Sequence, residues 1–265
     1  KNDVVLEWNN GKGLIFKKII RLDEKYLFKI KQEVKNNTSS KINLYPYSQI
    51  TRNKKPDDVM GFYILHEGFI GVFDGELKED DYDDIKDKKI VRNSDNGWLG
   101  ITDKYWVTAI VPPKNKNFKS TFLYKDNYRA NYILNSPVTI DPKSTSSNDV
   151  RLFVAAKEVE TVDGYAESEN IEKFDLTIDW GWFYFFTKPL FFVIDYLFKL
   201  SGNFGIAIVL ITLAIRIVFF PLANYSFRSM AKMKAVQPEM TRLKELHKED
   251  KVKLQQEMMA LYRKE

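Results

Sequence analysis

Cysteine is missing from this 265-residue chain altogether. Disulfides and thiolate metal sites are excluded, and an oxidising compartment is permitted. Histidine is almost as scarce. His66 and His247 are the two present, far apart and without ligand-like neighbours, so no zinc site is expected. No stretch before residue 165 carries a long helical period. Nor is there a convincing acid–base pair set among aromatics, as sugar chemistry would require. Apolar runs long enough to cross a bilayer are also rare. There is one, residues 204–223.

That run holds 20 residues and a single charge, Arg216, and about 20 residues span a hydrocarbon core. A lone arginine there costs roughly 2.5–3.5 kcal/mol on insertion scales. Two readings stay open on spacing alone. Arg216 snorkels to the headgroups from near the inner end, or it has water, a partner or a task. Charge orients the helix. Residues 224–238 contain Arg228, Lys232 and Lys234 and no acid, whereas residues 189–203 contain Lys199 against Asp195. The positive-inside rule places residue 224 onward in the cytoplasm and the roughly 180 residues before the membrane outside. A domain of that size reaches the outside behind a signal peptide or an earlier span. Neither is seen, and the first residue is Lys1 rather than Met. The expectation is a fragment lacking its first export or membrane segment.

The formal charge of +5 divides along the same line. Residues 1–180 carry 28 Lys and Arg against 29 Asp and Glu; residues 203–265 carry 11 against 6. The basic balance is a cytoplasmic-side property, not a nucleic-acid footprint on the large domain.

The large domain reads as all-β, an antiparallel sandwich. Short β-branched and aromatic runs cover 13–21, 26–34, 42–50, 62–65, 69–73, 105–111, 118–124, 128–134 and 150–156. Turn signals stand at 9–13, Asp74-Gly75, Asn96-Gly97 and 144–148. Tyr26, Phe28 and Ile30 alternate with Lys25, Lys29 and Lys31, as in a sheet with one wet face. Asp80, Asp81, Asp83 and Asp84 form an acidic cluster at 79–87. It lacks the glycine and terminal glutamate of a calcium loop, and a solvated loop is expected. Trp98, Tyr105 and Trp106 offer a sugar-stacking surface, with core packing the expected alternative.

Residues 180–200 are nearly long enough to span. They hold Lys188, Asp195, Lys199, a central Pro189 and many aromatics, which favours a helix in the outer interface. After the span, Met230, Met233, Val236, Met240, Leu243 and Leu246 step by three or four, a narrow apolar stripe. A turn at 247–250 and a second arm with Leu254, Met258 and Leu261 predict an antiparallel helical hairpin. The domain limits expected are 1–179, 180–202, 203–223 and 224–265.

Several of these segments resemble one family. Thr212-Leu213-Ala214-Ile215-Arg216, Phe220-Pro221-Leu222, Ser229-Met230-Ala231-Lys232-Met233-Lys234, Gln237-Pro238 and Gln256-Glu257-Met258-Met259-Ala260-Leu261-Tyr262 look like the YidC membrane protein insertases. So do residues 68–75, Gly97-Trp98-Leu99-Gly100-Ile101-Thr102-Asp103-Lys104-Tyr105-Trp106, and the membrane junction at 174–182. The similarity covers nearly the whole chain and points to the Gram-negative branch, with its large periplasmic domain.

The resemblance implies a periplasmic β-supersandwich without sugar catalysis, an interfacial helix, the first of five core membrane helices and part of a cytoplasmic coiled-coil hairpin. It implies no enzyme activity and no cofactor or metal. Arg216 matches the arginine of a hydrophilic groove in the inner leaflet, and Thr212 a polar groove position one turn earlier. The expected partners are nascent inner-membrane proteins, the Sec translocon and its accessory subunits, the lipid bilayer, and the ribosome, signal recognition particle or its receptor. Met230, Met233, Arg242 and Lys248 are the candidate contacts for the cytoplasmic partners. The rival readings are a membrane-anchored carbohydrate-binding or mutarotase-like domain and a single-pass receptor.

Overall fold

The computed structural model describes residues 3–57, 59, 65–246 and 251–264. The strand expected at 62–65 lies outside the described residues except for Leu65, and the turn at 247–250 lies wholly outside them. The chain divides into two compact units, Lys1–Trp182 and Phe183–Glu265.

The first unit is an antiparallel β-sandwich, as its alternating runs predict. Its larger sheet has eight strands, in the spatial order β1 (Val4–Asn9), β2 (Leu14–Leu22), β3 (Leu27–Asn36), β14 (Thr145–Ala156), β10 (Trp106–Val111), β9 (Gly97–Thr102), β6 (Gly68–Phe73) and β7 (Glu76–Asp81). A four-stranded sheet runs β5 (Tyr47–Arg52), β12 (Asn127–Leu134), β11 (Phe118–Lys125) and β8 (Ile90–Ser94). β13 (Val138–Ile140) and β4 (Ile42–Leu44) form a two-stranded ribbon. Three helical pieces join them: α1 (Tyr82–Asp87), α2 (Val159–Ser168) and a 3-10 turn at Phe174–Thr177.

Every residue of β6 and β9 is buried. The reason is that the large sheet is covered on both faces. Phe69, Phe73, Leu99 and Ile101 meet Phe118, Phe122, Tyr128 and Tyr132 of the smaller sheet. Ile70, Val72 and Trp98 point the other way, into a second core with Val162 and Tyr165 of α2 and Phe174. Alternation along a strand sends neighbours to opposite faces. A strand buried on both faces must therefore read as an unbroken apolar run, and Gly68-Phe69-Ile70-Gly71-Val72-Phe73 does.

Several local expectations are corrected. The run 42–50 is split between β4 and β5 at Tyr45 and Pro46, because proline has no N–H for a ladder. Tyr26 does not share the inner face. It closes the turn into β3 with φ +66° and is 59% exposed, while Leu27 is buried. The signal at 144–148 marks no turn along its length; its last four residues begin β14. There, β14 pairs with β3 in register from Thr145 to Phe153, and tertiary pairing overrides local turn preference.

The acidic cluster is not a solvated loop. Residues 79–81 end β7, and 82–87 form α1, with Tyr82 and Ile85 in the core. Two of the four carboxylates, Asp80 and Asp83, are paired with Arg or Lys. Arg92 donates to both oxygens of Asp80 at 2.7 and 2.9 Å, and Lys55 donates to Asp83 at 2.8 Å. Arg92 itself lies over the rings of Phe73 and Phe122 at 5.5 and 5.6 Å. Among the described residues no group of three or more acidic, His or Cys side chains could hold a metal.

The second unit is helical throughout: α3 (Tyr184–Ser201), α4 (Phe204–Leu246) and α5 (Lys251–Lys264). Gly202 ends α3 with φ +66°, its N–H donating to Phe198 O at 2.8 Å. Asn203 then caps α4, accepting from the N–H groups of Gly205 and Ile206 at 2.8 and 3.3 Å. α3 folds back against α4, where Phe198 meets Phe204 at 5.9 Å and Ala207 is fully buried. α4 runs unbroken for 43 residues, through Pro221 and Pro238 and past residue 223, a rod of about 65 Å. The change from apolar to basic composition at residue 224 leaves helix propensity intact, so nothing there stops the helix.

Candidate functional site

α4 is the one described helix long and apolar enough to cross a membrane, and only 6% of its apolar window is buried. An apolar helix bare to this degree requires lipid or protein around it. Thr212 and Arg216 occupy positions i and i+4, which lie one above the other on a helix face. Both are exposed. Thr212 Oγ1 donates to Ile208 O at 2.7 Å, so its hydroxyl proton is satisfied by its own helix. Arg216 has no hydrogen-bond or ion-pair partner among the described residues. It lies twelve residues into α4, about 18 Å along the axis at 1.5 Å per residue.

The stripe after residue 229 splits into two parts. Val236, Met240 and Leu243 on α4 are buried or half-buried, as are Leu254, Met258 and Leu261 on α5, whereas Leu246, the last of the expected stripe, is 69% exposed. α5 packs on α4, and these are the faces that spacing predicts for a hairpin. Met230 and Met233 are 52% and 59% exposed, and Arg242 is exposed too. α5 is 14 residues long and reaches back only about 21 Å, which leaves the first turns of the stripe bare. Lys248 lies outside the described residues.

In the β unit, the three aromatics considered together separate. Trp98 is fully buried, packed edge-on against Phe174 at 5.5 Å, and its indole N–H donates to Glu172 O at 3.1 Å. Tyr105 and Trp106 are not core residues; they are 64% and 61% exposed. A strand that ends at a turn puts its last side chains beyond the opposing sheet, and sequence alternation does not reveal where the opposing sheet stops.

A charged cluster lies behind that turn. Arg52 Nη1 donates to both oxygens of Asp103 at 2.8 and 2.6 Å. The Lys104 N–H donates to buried Glu67 at 3.0 Å, and Lys157 Nζ to Thr102 Oγ1 at 3.0 Å. Burial lowers the Lys157 ammonium from its ordinary value, against the pull of Asp179, Asp103, Glu67 and Glu79. Burial raises the Glu79 carboxyl, opposed by His66. Asp179 accepts from the His66 N–H at 3.0 Å and the Gly181 N–H at 2.8 Å. None of this was foreseeable, because strand ends distant in sequence assemble it.

Two open depressions bear on the sugar-binding rival. One, about 880 Å³, is lined by charged residues such as Arg21, Lys29, Arg151 and Glu169 and by no aromatic ring. The other, about 290 Å³, has Phe16, Tyr45 and Tyr47 but Glu33 as its sole acid. Neither of these pairs two carboxyl groups with an aromatic wall. A third depression, about 690 Å³, sets Asp23 and Glu24 beside Tyr165, but there Asp23 accepts from the Tyr165 hydroxyl at 2.6 Å and the Leu27 N–H at 3.0 Å.

Comparisons with known proteins fall into two segments that meet within α3. Residues 1–193 match the family described as YidC periplasmic domain, and residues 196–265 match 60Kd inner membrane protein. A protein named membrane protein insertase YidC from Pelagibacter ubique is 55% identical over 264 residues, covering 100% of this chain and 47% of that protein. One of the same name from Methylorubrum extorquens is 44% identical over 278 residues, covering 99% and 45%. The chain thus spans about half the length of the curated relatives it matches. A solved alpha-galactosidase from Lactobacillus brevis aligns with a TM-score of 0.43 at 10% identity, over 62% of this chain and 25% of that one. That likeness is too faint to bear on fold or activity. The β-sandwich lies within the first matched segment and the apolar helix and the helix after it within the second, and the chain belongs to the YidC membrane protein insertase family.

Proposed function

We propose that this chain is the periplasmic domain, interfacial helix, first core membrane helix and partial cytoplasmic hairpin of an insertase. The insertase assists insertion, folding and assembly of inner-membrane proteins, alone or with the Sec translocon. The observation that carries this reading is a cation within the apolar run of the one described helix long and apolar enough to cross a membrane, with a hydroxyl one turn before it on the same face. In the complete protein these two side chains line a wet groove open to the cytoplasm. A groove shortens the hydrocarbon distance that a substrate's short extracytoplasmic tail must cross. Coulomb attraction near a protein surface is about four times that in bulk water at equal separation, so Arg216 draws an acidic tail inward. The membrane potential and burial of the substrate's apolar helix in lipid then drive release. The mechanism needs no nucleophile, acid–base pair or cofactor.

Bare Met230 and Met233 with Arg242 support a contact with the ribosome, signal recognition particle or its receptor. Thioether side chains adapt to varied apolar partners, and the basic charge favours polyanions and acidic surfaces.

The test is protease protection of a substrate's translocated tail in cells depleted of the native insertase and supplied with the full-length protein. Arg216→Ala is expected to lower translocation of acidic tails about tenfold, the factor that ~1.4 kcal/mol gives, at unchanged expression. Arg216→Lys should retain most function, because a positive charge rather than a bidentate clamp is required. Normal translocation by the alanine variant across acidic-tailed substrates would reduce Arg216 to a snorkelling anchor.

A further inference from the structure

The β9–β10 turn, Asp103-Lys104-Tyr105, and the first residue of β10, Trp106, form a motif that the groove mechanism leaves unused. Both rings stand clear of the sandwich. The Lys104 ammonium lies 5.2 Å from the centroid of the Tyr105 ring. The strand register extends the patch. Trp106 pairs with Ala156 and Thr108 with Val154, and Val154 N–H donates to Tyr26 O at 3.4 Å. Val154 thus stands between Trp106 and Tyr26, and it and Tyr26 are exposed as well. Lys25 precedes Tyr26 and is also exposed.

The same end of the domain is where its chain departs. Lys157 N–H donates to Tyr105 O at 2.9 Å, and Thr102 pairs with Gly68, two residues from His66. The His66 N–H holds Asp179, whose other oxygen accepts from Gly181. Residues 180–200 follow, with the aromatic composition of a membrane–water interface. The rest of the tip has the same chemistry: rings with one polar end, flanked by lysines. Tyrosine and tryptophan concentrate at headgroup depth for that reason. A protein partner would also use exposed Tyr and Trp; continuity along the chain with the aromatic run at 180–200 favours lipid, and the experiment below separates the two.

We infer that Tyr105, Trp106 and Tyr26 form a lipid-contacting tip, which rests the exit end of the β-domain in the headgroup layer of the bilayer. This rests on the reading that residues 204–223 cross a membrane, not on insertase activity.

The absence of native cysteine makes a direct test simple. Lys25→Cys, Lys104→Cys, Ser39→Cys and Leu213→Cys variants of the 265-residue chain each take one bimane label. Each is placed in phosphatidylethanolamine–phosphatidylglycerol bilayers containing phosphatidylcholine brominated near the headgroup end of its acyl chains. Ser39 follows the far end of the ten-residue β3, roughly 30 Å from Tyr26. The expected result is loss of emission at 25, 104 and 213 and none at 39. Tyr105→Ser with Trp106→Ser should abolish quenching at 104 and leave the β-type circular dichroism unchanged. Labels at 25 and 104 that escape bromine but are quenched by iodide would place the tip in water and overturn the inference. Labels shielded from both would mean a protein, such as a second copy, covers the tip, and would overturn it equally. Equal bromine quenching at 39 would show unspecific adsorption and do the same. Absence of quenching at 213 would remove the membrane span, and this inference with it.

Discussion

Replacing Trp98 with alanine is expected to destabilise the β-domain by about 3–5 kcal/mol, the range for truncating a buried Trp or Phe. The indole is fully buried at the centre of the second core, edge-on to Phe174, and its N–H satisfies the Glu172 carbonyl. Truncation opens a cavity and leaves that carbonyl without its donor. A whole domain has only about 5–15 kcal/mol in hand, so the loss is a large share. Trp98→Phe keeps a ring and loses chiefly the hydrogen bond and part of the volume, and should cost less. Pulse proteolysis of the 265-residue chain in mild detergent, over a urea series, measures both. An alanine variant whose midpoint coincides with that of the unmodified chain would contradict the packing described.

A larger effect is expected from a smaller change. Gly100 sits in β9 between β6 and β10, and a Cβ built on it would lie 2.1 Å from Thr108 O and 2.9 Å from Ala109 Cα. Both are backbone atoms of a central strand, with no rotamer to escape into. Gly97 is held as tightly, at φ +137° with Val72 O 1.9 Å from the position of a Cβ. Gly100→Ala therefore requires β9 and β10 to part, which breaks a ladder in the middle of the sheet. The expected loss exceeds ~4 kcal/mol, a size reserved for a few mechanisms of which overpacking is one. The variant should fail to give a protease-resistant β-domain. Gly164→Ala is the control. It lies in α2, where an added methyl would meet nothing within 4 Å, and should be neutral or add up to about 1 kcal/mol of helix stability. A resistant Gly100→Ala domain would mean that the β9–β10 spacing is wrong.

These two positions show why the sequence could be read so far and no further. The apolar run at β6 and the alternation in β11 and β12 carry their partners' geometry in their own spacing, whereas β9, opening on the Asn96-Gly97 turn signal, is not legible as a strand. The runs at β6, β11 and β12 give the sandwich class directly. The elements that went unread have no such signature. β1 is exposed throughout and owes its existence to β2 beside it. β7 and α1 are written in aspartates, whose strand and helix preferences are poor; Arg92, Lys55 and core contacts from Tyr82 and Ile85 decide the matter. At the membrane helix, residue spacing puts Thr212 and Arg216 on one face. Thr212 bonds only to its own helix and Arg216 has no hydrogen-bond or ion-pair partner among the described residues, so their role was legible only through the family resemblance and stands as a proposal. Tyr105 and Trp106 illustrate the opposite case. Their aromatic identity was visible, but their exposure depends on where a second sheet ends.

The wall shared by the two cores has a thermodynamic consequence. β6 and β9 contribute side chains to both, so neither core can loosen while the other keeps its packing. Separate cores on separate sheets would permit partial opening at a fraction of the global cost. Here the amides of those two strands become accessible to solvent exchange only when the entire domain opens, while β1, bonded on one side alone, can fray by itself. A domain held in this all-or-none way has no half-open state that uncovers its apolar strands.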